Sequence, residues 1–374
     1  MWIRKTIAAA LLVMLLSLPA GWLEAQIIYG EPPAGGLQLI YSSWSVDDGD
    51  SRRDISQVTV PASGFVPLRN NFEARFYIAN AANSMTWQND DYTLNGISDF
   101  RVQFSHAFYD DRLLASFGVN LPIGKKELTA DEDRAIVESL ADNYLSFPLR
   151  RLGEGFGFQA LVGTATMIGT VRFGSGLAFQ YNGSYSPYRD VEEYDPGDEF
   201  SLNISADVGR GRSSFNGDII YSLFTKDRLA GNDVLKQSPR LDLRFGWNFD
   251  NRLYLVNTNA RFLVRGHHER YDVENGELID NLKLYGDEFL LNGAVTFHPF
   301  RFWYATPTLE FKAVTSNENE LGDATVFGLG GNIARQIGDD ISLNAGFKYF
   351  VGSADAGALD ITGFQLTTGL RAAL

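Results

Sequence analysis

The side chains that could do covalent or metal chemistry are few. The chain carries four histidines, His106, His267, His268 and His298, and no cysteine. His267, His268 and Glu269 stand in a row, but neighbours on an extended chain point to opposite faces, so the trio lacks the one-face spacing of a zinc site. His106 shares a face with Phe104 and Phe108, and His298 stands in a short turn. No serine sits in a nucleophile signature beside any of them. The acidic stretches "DDGDSRRD", "NDDY", "DVEEYDPGD" and "NENELGD" hold many carboxylates without the ligand spacing of a calcium loop, and read as solvated surface. The expectation is a protein that is not an enzyme, with no metal and no other cofactor.

The elements that carry these residues have a period of two. "RLDLRFGWNF" puts Leu241, Leu243, Phe245, Trp247 and Phe249 on one face against Asp242, Arg244, Gly246 and Asn248; "EFSLNISADV" and "ISLNAGFKYFV" alternate in the same way. These runs have the length a tilted strand needs to cross a bilayer's hydrocarbon layer. Short turns recur at "YDDR", "GTVR", "GRGR", "FDNR", "HPFR" and "IGDD", mostly about 40 residues apart, with long polar stretches between them. Aromatics collect at both strand ends, as rings with a polar edge do at a membrane boundary. The pattern predicts an all-β, antiparallel, up-and-down transmembrane barrel in a bacterial outer membrane. It has sixteen strands, or fourteen if the proline-bearing first pair near Pro61 and Pro67 fails. Short turns face the periplasm and long loops the exterior.

The ends and the charge agree. Arg4 and Lys5 precede an apolar run, Ile7 to Leu16, and "LPAGWLEAQ" follows, which predicts a secretory signal over 1–25 and a barrel over 26–374. Closure satisfies every backbone group in lipid and allows an exported chain to hold together without disulfides. The net charge of −14 argues against a nucleic-acid partner. Alternation assigns Arg75, Arg101, Asp242, Arg244, Arg261, Glu310, Lys312 and Lys348 to the lumen, where charge must meet water or an opposite charge. Both signs are interleaved there, which predicts no strong ion selectivity.

At "NGISDFRVQF" followed by "LLASFGVNLPIGKK" the chain resembles outer-membrane transporters of hydrophobic compounds. These are the barrels associated with phenol and aromatic meta-pathway degradation and, more distantly, the long-chain fatty acid transporters. The residues that carry the likeness are Asn95, Gly96 and Asp99, then Leu121, Pro122 and Gly124. The resemblance implies passive uptake of small apolar molecules. There is no Asn-Pro-Ala hatch motif near the N-terminus, so a plug and lateral opening of the fatty-acid type are not implied. A general porin with a water-filled lumen and a structural or adhesive barrel with a closed lumen are the alternatives.

One stretch breaks the period. Over 122–154, the longest expected loop, Thr129 and Glu132 fit a capping box and an amphipathic helix is predicted near 130–145. Its stripe of Ile136, Val137, Leu140 and Tyr144, continued by Leu145 and Phe147, reads as rim packing or as a greasy landing site on the solute's path. The second reading predicts that serine at Ile136, Leu140 and Tyr144 lowers uptake. The expected partners are outer-membrane lipid and lipopolysaccharide, a small hydrophobic solute, and the barrel-insertion machinery through the last strand, "ITGFQLTTGLRAAL".

Overall fold

A computed structural model describes residues 32–373 apart from 70, 89, 110–111, 126, 188–192, 273–275 and 319–321. The expected signal segment 1–25 and the terminal Leu374 lie outside the described residues. The wall begins with β1 (Ala34–Asp47), β2 (Arg52–Arg69), β3 (Phe72–Trp87), β4 (Asp90–Ile97), β5 (Phe100–Phe108) and β6 (Leu113–Leu121). After helix α1 (Ala130–Ala141) come β7 (Gly157–Ile168), β8 (Val171–Asn182), β9 (Tyr194–Asp195), β10 (Glu199–Arg210), β11 (Ser213–Phe224), β12 (Lys226–Leu229) and β13 (Asn232–Lys236). The rest are β14 (Arg240–Asn251), β15 (Tyr254–Arg265), β16 (His268–Tyr271), β17 (Leu278–Leu282), β18 (Glu288–Phe300), β19 (Trp303–Val314), β20 (Ala324–Ile337), β21 (Ile341–Ala354) and β22 (Leu359–Ala373).

Seventeen of these strands form one antiparallel sheet, which closes where β1 pairs with β22 along its whole length. Strands β4 and β5 are two halves of one stave. β3 pairs with β4 as far as Asn80↔Ile97 and with β5 from Tyr77↔Arg101, leaving one extra residue at a bulge around Ser98 and Asp99. The barrel therefore has sixteen staves, the larger of the two expected numbers. Pro61 does not remove the first pair: the β1–β2 ladder skips from Leu37↔Ala62 to Ile40↔Thr59, and the Val60 amide donates to Asn80 Oδ1 at 3.2 Å. The β2–β3 ladder runs in register from Arg53↔Trp87 to Pro67↔Glu73 and shifts only between Pro67 and Arg69, at the end of the strand.

The binary pattern inverts along the staves around the closure. In the lower part the outer face is apolar, with Leu39, Val58, Phe347, Tyr349 and Leu366 all exposed. Toward the outer end the outward positions become Ser43, Ser45, Asp54, Ser56, Ser84, Ser353 and Thr362, and the inward ones become Trp44, Val46, Ile55, Met85, Phe350 and Ile361, all buried. An apolar outer face suits lipid and an apolar inner face suits a packed core, so the switch marks where the wall leaves the hydrocarbon. Small residues make room inside. A Cβ on Gly363 would lie 2.5 Å from the Trp44 ring, which stacks on Phe350 at 4.7 Å and has nowhere to go. Gly363→Val is expected to destabilise the barrel by about 1–3 kcal/mol. Heat-dependent gel mobility reads this as a lower unfolding temperature, whereas Gly209→Ala, with nothing within 4 Å, should change nothing.

The long loops after β8, β11 and β15 are not the plain polar loops that composition suggested. They form a second, five-stranded sheet in the order β17-β16-β13-β12-β9. The histidine pair belongs to it: His268 opens β16 and is buried against the Tyr285 ring at 5.4 Å. Alternation too short to cross a membrane, as in "KDRLAGNDVLK", was the available signal.

Candidate functional site

The third outer loop, 122–156, follows β6 and turns into the barrel mouth instead of standing over it. Its point of departure is built by the residues of the family-like motif. Asp99, at the stave bulge and nearly fully buried, accepts hydrogen bonds from the Gly124 amide (2.9 Å), the Glu154 amide (2.6 Å) and Asn120 Nδ2 (2.9 Å). Both ends of the loop are thus held by one carboxylate, whose charge strengthens each bond. The packing leaves no space for side chains here. A Cβ on Gly124 would lie 2.4 Å from the Leu152 carbonyl oxygen, and one on Gly96 would lie 2.9 Å from Leu152 Cδ1. Leu121 closes β6, Pro122 is exposed just beyond it, and Asn95 faces outward on β4.

From there the loop crosses the mouth. Helix α1 ends at Ala141, four residues before the expected 145, because Asp142 turns away to pair with Arg53 of β2 at 3.0 Å. The capping box rests on a Glu132 side chain outside the described residues. Asn143 reaches β18 through Glu288 (3.0 Å), and Lys312 of β19 donates to the Asn143 carbonyl. Phe147 meets the Trp44 ring of β1 edge-on at 6.5 Å, and Leu149 exchanges two hydrogen bonds with Gln57 of β2 at 2.6 and 3.1 Å.

This path gives the helical stripe its packing partner, as in the first of its two readings. Ile136, Leu140, Tyr144, Leu145 and Phe147 are buried in one cluster with Trp44, Ile55, Met85, Leu94, Val326 and Phe350 of the wall, and Val137 packs against it. Ile136 and Leu145 are 0% exposed. Side chains with no free surface offer a passing solute nothing to touch. The inverted upper wall is what covers them: each buried side chain is worth about 1.5–3 kcal/mol, and only an inward-folded loop meets that wall.

The expected lumen residues are present as ion pairs. Arg75 pairs with Glu73 at 3.0 Å, Arg101 with Glu154 at 2.8 Å and Lys348 with Glu310 at 3.0 Å. Arg244 and Arg261 share Asp242 at 2.8 and 2.9 Å, while Lys312 meets the loop. The loop packs on the staves from β18 through β1 to β5. The staves left uncovered, β6 to β15, present a different lining: Ser116, Gln159, Gln180, Ser201, Asn203, Asn216, Ser222, Asn257 and Asn259, alternating with exposed apolar residues on the outer face. Cross-strand bonds tie this face together, for example Ser201 to Ser222 at 2.9 Å.

The loop also contains a titrating anchor. Burial raises the Asp142 carboxyl to about 6, against the opposing pull of Arg53. The docked pKa lies above the free value of 3.8, so the proton favours docking. That contribution is full below about 3.8 and is lost as pH rises through about 6. Lowering pH from 7 to 5 should therefore quiet loop-opening events in single-barrel current recordings, and Asp142→Asn should remove the pH dependence.

The histidines do not gather. His106 packs edge-on against Phe108 (4.1 Å) and Phe72 (5.7 Å), and His298 against Tyr304 (4.7 Å), both near short turns. Among the described residues no three His, Cys, Asp or Glu side chains are grouped to hold a metal, and no helix is long and apolar enough to cross a membrane. The crossing is made by strands. A closed sixteen-stave sheet with an apolar outer band defines the class: this is an outer-membrane β-barrel, narrowed by its own third loop.

No protein family and no curated protein matches the sequence. Solved structures that the chain is similar to include a FadL homologue of Pseudomonas aeruginosa, at 9% identity and TM-score 0.46, over 92% of this chain and 90% of that one. The CymD monoaromatic hydrocarbon channel is 10% identical, with TM-score 0.43 over 94% and 90% of the two chains. The anion-selective porin from Comamonas acidovorans is 11% identical, with TM-score 0.41 over 91% and 100%. The closure of the sheet, not these likenesses, defines the class.

Proposed function

We propose that the barrel is a passive channel for small polar solutes, which pass between the folded third loop and the uncovered wall. The supporting observation is that wall: from β6 to β15 the inward positions include Ser116, Gln159, Ser201, Asn203, Asn257, Asn259 and the paired charges of Asp242, Arg244 and Arg261, a lining suited to water. A hydrophobic solute was the first expectation, implied by the resemblance carried by Asn95, Gly96, Asp99, Leu121, Pro122 and Gly124, with the helical stripe as one landing site for it. With the stripe packed into the wall, the helix offers such a solute no landing surface, and the polar wall favours a polar solute. Swelling of proteoliposomes in a small neutral sugar, followed beside entry of an apolar dye, tests the choice. Sugar-driven swelling is the expected result. Dye entry without swelling would return the hydrophobic reading, and neither would leave a closed structural barrel.

A further inference from the structure

The chain is strongly acidic, yet the passage beside the third loop is crowded with arginine. Strands β14 and β15 set like charges directly opposite each other, Arg240↔Arg265 and Arg244↔Arg261. Such pairs repel unless something bridges them. Glu199 binds Arg240 at 2.7 Å, Asp242 binds both Arg244 and Arg261, Glu288 binds Arg265 at 2.7 Å, and Asp218 of β11 stands directly opposite Arg244.

The loop brings a further guanidinium to this face. Leu149 is held on both sides of its peptide by Gln57, which fixes where Arg150 leaves the backbone. Arg150 makes no ion pair or hydrogen bond among the described residues. Its surface is open to the lumen although wall surrounds it on most sides. The charges it feels are Glu288, Arg265, Asp142 and Arg261. Both acids already have partners, Glu288 in Arg265 and Asn143, Asp142 in Arg53 and Tyr144. That surrounding burial and the nearby Arg265 and Arg261 lower its pKa, with Glu288 and Asp142 opposing, yet a guanidinium stays charged at neutral pH. A positioned cation with no ion pair of its own among the described residues stands where the loop faces β14, β15 and β18.

We propose that the constriction selects small organic anions, and that Arg150 is the specificity-determining residue, meeting the solute's carboxylate while Arg261 and Arg265 supply the surrounding positive potential. Guanidinium and carboxylate match bidentately, and low-dielectric walls focus the field, so a single unneutralised charge at a constriction governs which ions enter. This revises the expectation of no strong selectivity. The signs are interleaved along each strand, but the loop adds its cation on one side only. The inference rests on the channel reading above.

Reversal potentials under a potassium chloride gradient, and then with acetate replacing chloride, test it in the full-length barrel. The wild type should favour anions, with a chloride-to-potassium permeability ratio of about 3 or more, on the order that one focused charge produces. Arg150→Ala should bring the ratio to about 1 and Arg150→Glu should invert it, acetate following chloride. Steady conductance with no anion preference in the wild type, or a preference unchanged in both variants, would overturn the selectivity while leaving the channel intact. No conductance at all would instead sink the channel reading. Heat-dependent gel mobility of each variant separates misfolding from either.

Discussion

Asp99→Ala is expected to unmoor the third loop and raise single-barrel conductance several-fold, while the barrel itself still folds. One carboxylate holds the Gly124 amide, the Glu154 amide and the Asn120 side chain, at 2.6–2.9 Å. Hydrogen bonds to a charged acceptor are worth about 1.5–3 kcal/mol each, and buried donors left without a partner cost about 1–3 kcal/mol apiece. The loss falls on the loop's two ends and on a bulge, not on the strand ladders, which pair normally on both sides. The loss is therefore expected as larger, noisier currents, not as an unfolded barrel. Asp99→Asn should lie between, since it keeps an acceptor oxygen and forfeits the charge.

Serine at Ile136, Leu140 and Tyr144 should have an effect of the same sign. If the helix were a landing site, these changes would lower uptake. Because all three side chains are buried against the wall, the change removes several kcal/mol of docking free energy, at about 1.5–3 kcal/mol per large apolar side chain. The area lost is an upper bound on that figure, because the freed loop stays partly compact. Conductance and sugar-driven swelling should rise, with the folded gel band unchanged. A fall in polar-solute flux with normal folding would restore the landing-site reading.

The contrast between these two sites shows what the sequence disclosed. Period-two alternation located the staves, since lipid outside and water inside impose the pattern on every crossing strand. The Asn-Gly-x-x-Asp and Leu-Pro-x-Gly motifs were visible as a likeness, and Gly96, Asp99 and Gly124 meet at the loop's base. The helix was legible too, but not its destination. Its stripe could face any apolar surface, and that surface is assembled from Trp44, Ile55, Met85, Phe350 and Ile361 on five different strands. The clue was present in each strand: the apolar positions change faces near Trp44 and Ile361, a switch that a search for steady alternation passes over. Arg150 was missed for a different reason. It lies in a loop without period, and only the loop's path brings it to Arg261 and Arg265.

The third loop, folded into the mouth against Trp44, Gln57 and Glu288, sets the width of the lumen. Gly124 and Glu154 both bond Asp99, so the ends of the loop are neighbours in space and a two-glycine link can replace residues 125–153. Single-barrel conductance of that deletion in planar bilayers, at pH 7 and fixed salt, is the direct measurement. A folded deletion barrel that conducts several-fold more than the intact protein is the predicted result. A folded deletion barrel with unchanged conductance would place the loop outside the path and contradict the account.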